Sequence, residues 1–273
     1  MIASQHKKMD ISVRAYQTIK EFIYKEAGID LGSAKQMLVG SRLNKRLRHY
    51  HLDSFDEYVS LLTDNNSIEC QIAVDLLTTN ETYFFREPGH FNSLKELVLQ
   101  HHSKDRLFRL WSAASSSGEE AYSLAMVMDD FFGPTGKWEV FGSDISSRII
   151  EKAKKGLYRM YRIDAMPKDF LRKYCMKGSG EYEGFLLIDK NLRKKTSFKE
   201  INLTKPLPEV GQFDVIFLRN VLIYFDNKTK EKIIRSLISK LRPKGILFIG
   251  HSESLKGMDL PIDLIGSTTY QKR

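Results

Sequence analysis

The residues of this chain that could do chemistry sit where apolar runs end. Leu107 to Tyr122 read LFRLWSAASSSGEEAY. An apolar run passes through the small residues Ala113 to Gly118, with no proline, into an amphipathic segment that opens on Glu119 and Glu120. The pattern predicts a buried strand, a tight turn and a helix. Small side chains at such a turn let a ligand approach the backbone closely, and acids in a first helical turn suit the positive end of the helix. The turn holds one glycine and misses G-x-G-x-x-G, which disfavours a plain dinucleotide site. Taken alone it is equally an ordinary strand-to-helix connection.

Three further groups have the same character. Lys137 to Ile145, KWEVFGSDI, reads as a second strand whose end carries Asp144. An acid there can accept hydrogen bonds from a nucleoside ribose, or can simply cap the helix that follows. Phe213 to Tyr224, FDVIFLRNVLIY, reads as a strongly apolar strand delivering Arg219, Asn220 and Tyr224 to the same rim. Thr79 to Glu87, TNETYFFRE, sets Asn80, Thr82 and Arg86 around Phe84 and Phe85, and taken alone it is read first as a capped turn packed on a core.

The elements that must position these groups alternate. After the second strand come a helix at SSRIIEKAKKGLY, a helix from Pro167 to Met176, and the glycine-rich GSGEYEG followed by two strand-like runs in FLLIDKNLRKKTSFKEINL, read as an inserted antiparallel β element. A helix from Asn227 to Leu241, the turn RPKG, the strand ILFIGHSE and a last strand around LIGSTTYQKR follow. Alternating strands and helices imply a mostly parallel sheet with ligands at its carboxyl edge. From Ile11 to about Leu77 the pattern is helical only. The expected division is a helical domain over 1–78 and an α/β domain over 79–273, with the β insert at about 177–200. In the second N-terminal helix Arg42, Lys45, Arg46 and His49 share one face, Arg48 adds to the charge, and Leu43, Leu47 and Tyr50 share another. That stripe is either a solvated surface or a docking face for an acidic partner.

The chain has 273 residues, 42% hydrophobic and 28% charged, which fits a soluble globular protein with a sizeable core. No run approaches the roughly 18 apolar residues needed to span a bilayer, and MIASQHKKMD has no signal core, so a cytoplasmic protein is expected. Cys70 and Cys175 lie far apart without C-x-x-C, so neither a disulfide nor a zinc site is indicated. The net charge of +9 suits an acidic partner without choosing among nucleic acid, membrane and protein.

TNETYFFRE, WSAASSSGEEAYSLAM, FGSDIS, INL, FLRNVLIYFD and GHSE, in this order and spacing, resemble the chemotaxis receptor methyltransferases, the CheR family of protein-glutamate O-methyltransferases. The resemblance covers nearly the whole chain. It implies a Rossmann-like class I methyltransferase sheet with an all-helical N-terminal domain and a small inserted antiparallel β subdomain. It also implies methyl transfer from S-adenosylmethionine to glutamate side chains of cytoplasmic chemoreceptor helices, giving methyl esters and S-adenosylhomocysteine. By matching motifs, Asn80, Thr82 and Arg86 would line the methionine end, Glu119 would lie near the cofactor and Asp144 would hold its ribose. Asn202 and Leu203 would lie near the adenine, Arg219 and Asn220 would complete the pocket, and Arg86 and Tyr224 would face the transferred methyl. The helix with Arg42, Lys45, Arg46 and Arg48 matches the region that meets receptors. Gly178, Gly180 and Gly184 are similar to a loop that grips a receptor's C-terminal peptide. No metal, no nucleic-acid partner and a monomer are expected. A nucleic-acid methyltransferase is the main rival, but Arg219-Asn220-Val221-Leu222 stands where an (N/D)PP(Y/F) signature would be. A non-catalytic sensor of S-adenosylmethionine is the other.

Overall fold

The structure is a computed structural model that describes residues 9–64, 67–97 and 106–273. Its contacts divide the chain into two compact units. One is Met1–Thr79 together with Tyr224–Asp226, and the other is Asn80–Ile223 with Asn227–Arg273.

The first unit is built from helices α1 (Val13–Ala27), α2 (Gln36–Tyr50), α3 (Phe55–Thr63) and α4 (Ser67–Leu77). Their ends follow the sequence signals. The Ser12 hydroxyl caps α1 by accepting from the Ala15 N–H, and Gly28, with φ 71°, closes it in the left-handed conformation that glycine adopts without penalty. Ser54 and Glu57 form a reciprocal capping box at α3, the Ser54 hydroxyl accepting from the Glu57 N–H at 3.2 Å while the Glu57 carboxylate accepts in return. Ile19, Ile23, Val39, Leu43 and Leu47 are fully buried between the helices.

In the second unit, α5 (Gly89–Leu97) precedes β1 (Phe108–Ala113), α6 (Glu119–Phe132), β2 (Trp138–Asp144) and α7 (Ser147–Lys155). After a set of short elements come β6 (Thr196–Glu200), β7 (Phe213–Leu218), α10 (Asn227–Ser239), β8 (Leu241–Ile249), β9 (Ile262–Gly266) and β10 (Thr269–Lys272). The seven-stranded sheet has the order β6-β2-β1-β7-β8-β10-β9. Its first five strands are parallel and β10 and β9 are antiparallel. Every residue of β7 is buried, as expected of a strand covered on both faces. The chain leaves β1 toward β2 and β6 on one side and returns to β7 and β8 on the other. The carboxyl ends of β1 and β7 therefore mark the topological switch point, where open α/β sheets bind ligands. The expected α/β class with a helical N-terminal part is what the chain adopts.

Several boundaries differ from those read in the sequence. The antiparallel insert consists of β3 (Leu157–Arg159), β4 (Cys175–Lys177) and β5 (Phe185–Ile188), in the order β3-β5-β4. It begins some twenty residues before the expected start at 177 and ends at 188. Leu157–Arg159 and Cys175–Lys177 read as the tails of helices; each is only three residues long and is held by pairing with β5 rather than by periodicity. The second strand-like run, β6, belongs to the main sheet beside β2, and the polar turn before it is the short helix α9 (Lys190–Lys194). α8 (Lys168–Tyr174) stops before Met176. β7 stops at Leu218 rather than Tyr224, because Asn220 turns left-handed at φ 57° and Leu222–Tyr224 form a 3-10 turn. RPKG is a bulge within β8, with Lys244 at φ 61°. The last strand is a hairpin, β9 and β10. The end of the helix expected at HFNSLKELVLQHH lies outside the described residues beyond Leu97.

Candidate cofactor site

The turn between β1 and α6 is wound tightly. Ala114, Ser116 and Gly118 take φ of 61°, 49° and 94°, and the two non-glycine residues cost on the order of 1–3 kcal/mol each. Strain of this kind is kept where surrounding structure determines it. A Cβ at Gly118 would lie 2.9 Å from Ala153 Cβ and 3.0 Å from the Tyr158 hydroxyl, so the single glycine stands where no side chain fits. The Ser116 N–H donates to Asp144 Oδ2 at 2.9 Å, and the Ser146 N–H donates to Asp144 Oδ1 at 3.0 Å. Asp144 therefore ties the turn to the end of β2. It is not the cap of α7, a task done by the Ser146 hydroxyl, which accepts from the Ile149 N–H. The Ile201 N–H donates to the Asp144 carbonyl, which brings the residues after β6 to the same edge. There Asn202 Oδ1 accepts from the Thr204 N–H and hydroxyl, and Leu203 is buried. Glu119 is fully buried and accepts from the Ser117 hydroxyl at 2.7 Å.

The TNETYFFRE segment is moored by its aromatics. Phe84 is fully buried with its ring edge-on to Tyr158, Phe85 packs on Phe91, and the Phe85 N–H donates to the Ser123 hydroxyl. The core-packed turn and the polar rim are thus one structure. The segment lies over the serine turn, since the Ser116 hydroxyl donates to the Asn80 carbonyl at 3.0 Å. Thr82 and Arg86 are half-buried, and the Arg86 guanidinium donates to the Glu81 carbonyl.

Arg219 lies in the wall behind this segment. Its side chain is 1% exposed and donates to Glu120 Oε2 at 2.9 Å, Glu87 Oε2 at 2.9 Å and the Arg86 carbonyl at 2.5 Å. Glu120 also accepts from the Ser112 hydroxyl on β1. Asn220 donates through Nδ2 to Glu87 Oε1. Burial opposes ionisation of Glu87, but hydrogen bonds from Asn220 and Arg219 and the Arg219 charge outweigh it and hold the carboxyl down at about 2. The left-handed backbone at Asn220 is pinned by Glu253, which accepts from the N–H groups of Gly250, Asn220 and Leu222 at 2.7, 3.0 and 2.7 Å. Burial pushes the Glu253 carboxyl above its ordinary value despite those bonds.

Asn80, Thr82, Arg86, Glu119, Asp144, Asn202, Leu203, Arg219 and Asn220 all belong to the second unit, with Asn80, Glu119 and Asp144 gathered around the serine turn. Tyr224 is grouped with the helices instead. Its carbonyl accepts from the Asp30 N–H, and the Lys35 ammonium sits over its ring. Sequence reasoning missed Glu87, Glu120 and Glu253, which fix the rim. The spacing of Gly250 and Glu253 in GHSE, a turn glycine followed by an acid three residues on, was the available signal for Glu253.

The site fits S-adenosylmethionine. Ser115 Oγ, on a residue 2% exposed, makes no hydrogen bond within the described residues and is available to a ligand at the turn. A mostly parallel sheet with its switch point at β1, a tight serine turn and an acid ending β2 are the arrangement expected of a class I methyltransferase. Comparison with known proteins narrows the class. A family model described as CheR methyltransferase, SAM binding domain, matches residues 80–271, and one described as CheR methyltransferase, all-alpha domain, matches residues 14–78. A chemotaxis protein methyltransferase of Salmonella typhimurium is 40% identical over 267 residues, covering 97% of this chain and 92% of that protein. One from Escherichia coli is 38% identical over 275 residues, covering 99% and 94%. Chemotaxis protein methyltransferase 2 of Pseudomonas aeruginosa is 37% identical over 259 residues, covering 93% and 91%. The chain belongs to the CheR methyltransferase family, and its α/β unit is an S-adenosylmethionine-binding domain.

The helix expected to dock receptors has a divided cationic face. Arg46 turns inward, its guanidinium donating to Glu69 at 2.9 and 2.6 Å, with the Tyr50 and Tyr58 hydroxyls on the same carboxylate. Arg42 donates to the carbonyls of Leu77 and Thr78 and to the Thr79 hydroxyl, capping the carboxyl end of α4. Lys45 and Arg48 are exposed, beside exposed Met37 and Leu38. In the insert, Gly180 and Gly184 take φ of 58° and 78°, and a Cβ at Gly178 would lie 2.0 Å from the Tyr182 carbonyl oxygen, so the turn depends on its glycines. No helix among the described residues is long and apolar enough to cross a membrane.

Proposed function

We propose that this S-adenosylmethionine-dependent chemotaxis methyltransferase is a protein-glutamate O-methyltransferase, acting on side chains of chemoreceptor cytoplasmic helices to give glutamate methyl esters. The observation that carries the reading is the likeness to chemotaxis protein methyltransferases over nearly the full chain, joined to the turn held by Asp144 at the switch point. When bound, S-adenosylmethionine supplies an electrophilic methyl group. A glutamate, with an ordinary pKa of about 4.3, is already an anionic nucleophile near neutral pH, so no strong general base is needed. The protein's work is to align and dry the carboxylate. Arg86 steers that carboxylate, since among the described residues its half-buried guanidinium is engaged by a neutral carbonyl and the Tyr83 ring. Asp144 holds the ribose. Asn80 and Thr82 line the methionine end, and Asn202 and Leu203 lie near the adenine. Arg219 and Asn220 act from behind, setting the wall. For Tyr224 the role is a hydroxyl that orients the substrate, and it rests on the FLRNVLIYFD motif.

Lys45 and Arg48 are the cationic positions of α2 that meet acidic receptor helices. The β4 edge of the insert takes a receptor tail peptide as an added strand. Purified protein, methyl-labelled S-adenosylmethionine and receptor-bearing membranes should yield label released by base as methanol, and receptors with glutamine at the modified glutamates should yield none. Label stable to base would sink the reading. Arg86→Ala should lose turnover, and unchanged turnover would remove Arg86 from the reaction.

A further inference from the structure

Glu87 has a second set of neighbours. His90 Nδ1 lies 3.5 Å from Glu87 Oε2, His251 Nε2 lies 3.9 Å from the same oxygen, and all three ligand atoms fall within 4.8 Å of one another. The two imidazoles meet edge to face with centroids 4.6 Å apart.

The hydrogen bonds decide which atom His90 presents. The Thr268 hydroxyl lies 2.8 Å from the Ser267 carbonyl and 2.8 Å from His90 Nε2, and a hydroxyl that donates to the carbonyl accepts from Nε2. In that arrangement Nε2 carries the proton and Nδ1 presents a lone pair. His90 is 2% exposed, and Nδ1 has no hydrogen-bond partner among the described residues. A lone pair aimed at a carboxylate oxygen is an unfavourable pairing of two acceptors unless a cation joins them. An imidazole oriented by a hydrogen bond through its far nitrogen is also how metal-binding histidines are held.

We propose that Glu87, His90 and His251 form a binding site for one divalent transition ion of the zinc class. Two imidazoles and a carboxylate suit zinc, cobalt and nickel rather than magnesium or calcium, which require oxygen ligands. Bond lengths of about 2.0–2.2 Å put ligand atoms roughly 3.3 Å apart in a tetrahedral site. Glu87 and His90, 3.5 Å apart, are nearly at that spacing. His251 is 52% exposed and closes the remainder by rotating its ring. Arg219 shares Glu87 Oε2 at 2.9 Å, so the ion competes with a guanidinium and its affinity stays below that of a site of uncontested ligands.

The test is titration of the full-length protein, without an added histidine tag, with Co²⁺, reading the visible d–d absorption of imidazole-bound cobalt. Wild-type protein should bind one ion, displaced by Zn²⁺ and not by Mg²⁺. His251→Gln, at an exposed position where folding is not at stake, should weaken binding by about tenfold or more. His101→Gln/His102→Gln, which removes the adjacent histidine pair elsewhere in the sequence, should leave it unchanged. Absence of the absorption in wild type, undiminished binding by His251→Gln, or loss in the His101/His102 variant would each overturn the assignment.

Discussion

Each of the two units holds an arginine paired with buried or half-buried carboxylates, and the two are put to different use. In the helical unit Arg46 meets Glu69, whose side chain is 0% exposed and which also takes hydrogen bonds from Tyr50 and Tyr58. That cluster is closed on itself and joins α2, α3 and α4. In the α/β unit Arg219 meets Glu87 and Glu120, but its partners continue to the Arg86 carbonyl, Asn220 and Glu253, all at the carboxyl end of the sheet. The first arginine fastens a core, while the second sets the outline of a site. The charge balance separates the units too. The helical unit has 10 Lys and Arg against 11 Asp and Glu, and the α/β unit 33 against 23. The excess of +9 therefore lies wholly outside the unit proposed to dock receptors, so docking there rests on local placement of Lys45 and Arg48 rather than on overall charge.

The sharpest way to break the comparison is to remove the closed cluster. Arg46→Ala strands a buried carboxylate and should cost about 3–5 kcal/mol in the helical unit, whereas Arg46→Met/Glu69→Leu should recover most of it. Far-UV circular dichroism through a urea titration reads this. Both tryptophans, Trp111 and Trp138, lie in the α/β unit, so their fluorescence reports on that unit separately. An Arg46→Ala protein as stable as wild type would mean the cluster is not structural.

Next in size is Asp144→Ala, which should weaken S-adenosylmethionine binding by roughly 100-fold, since hydrogen bonds to a charged group are worth about 1.5–3 kcal/mol each. Calorimetry checks it, and Arg46→Met/Glu69→Leu should bind as wild type. Smaller is Lys45→Glu/Arg48→Glu, expected to raise the KM for receptor by roughly tenfold with cofactor affinity and stability unchanged. Reversing Arg42 and Arg46, the variant the stripe alone suggests, would confound docking with folding. Smallest is a pH effect. Burial works against the Glu69 charge, but hydrogen bonds from Arg46, Tyr58 and Tyr50 prevail and hold its pKa below the ordinary value. Its stabilisation is complete above the ordinary carboxyl pKa and is lost as pH falls through the depressed folded one. The helical unit of Arg46→Met/Glu69→Leu should lack that acid-side loss.

Long, periodic or strongly apolar segments were legible in the sequence. β1, α6, β2 and the N-terminal helices are such segments, and local pattern determines them. Leu157–Arg159 and Cys175–Lys177 were not legible, because three residues carry no period and their strand state comes from β5. At the site, the serine turn and Asp144 could be read because they are local to a strand end. The Arg219 cluster draws on positions 87, 120, 219 and 253, which only the fold brings together. The cationic stripe was half misread for the same reason: Glu69, the partner that turns Arg46 inward, lies 23 residues away.

Tyr224–Asp226, grouped with the helices, are spliced into the chain between β7 and α10. Asp226 takes a hydrogen bond from the Tyr24 hydroxyl at 2.6 Å, and the Tyr224 carbonyl accepts from Asp30. The helical unit is therefore not continuous in sequence. A gene fragment encoding residues 80–273 alone would leave an orphaned tripeptide of the missing domain in the middle of the catalytic one.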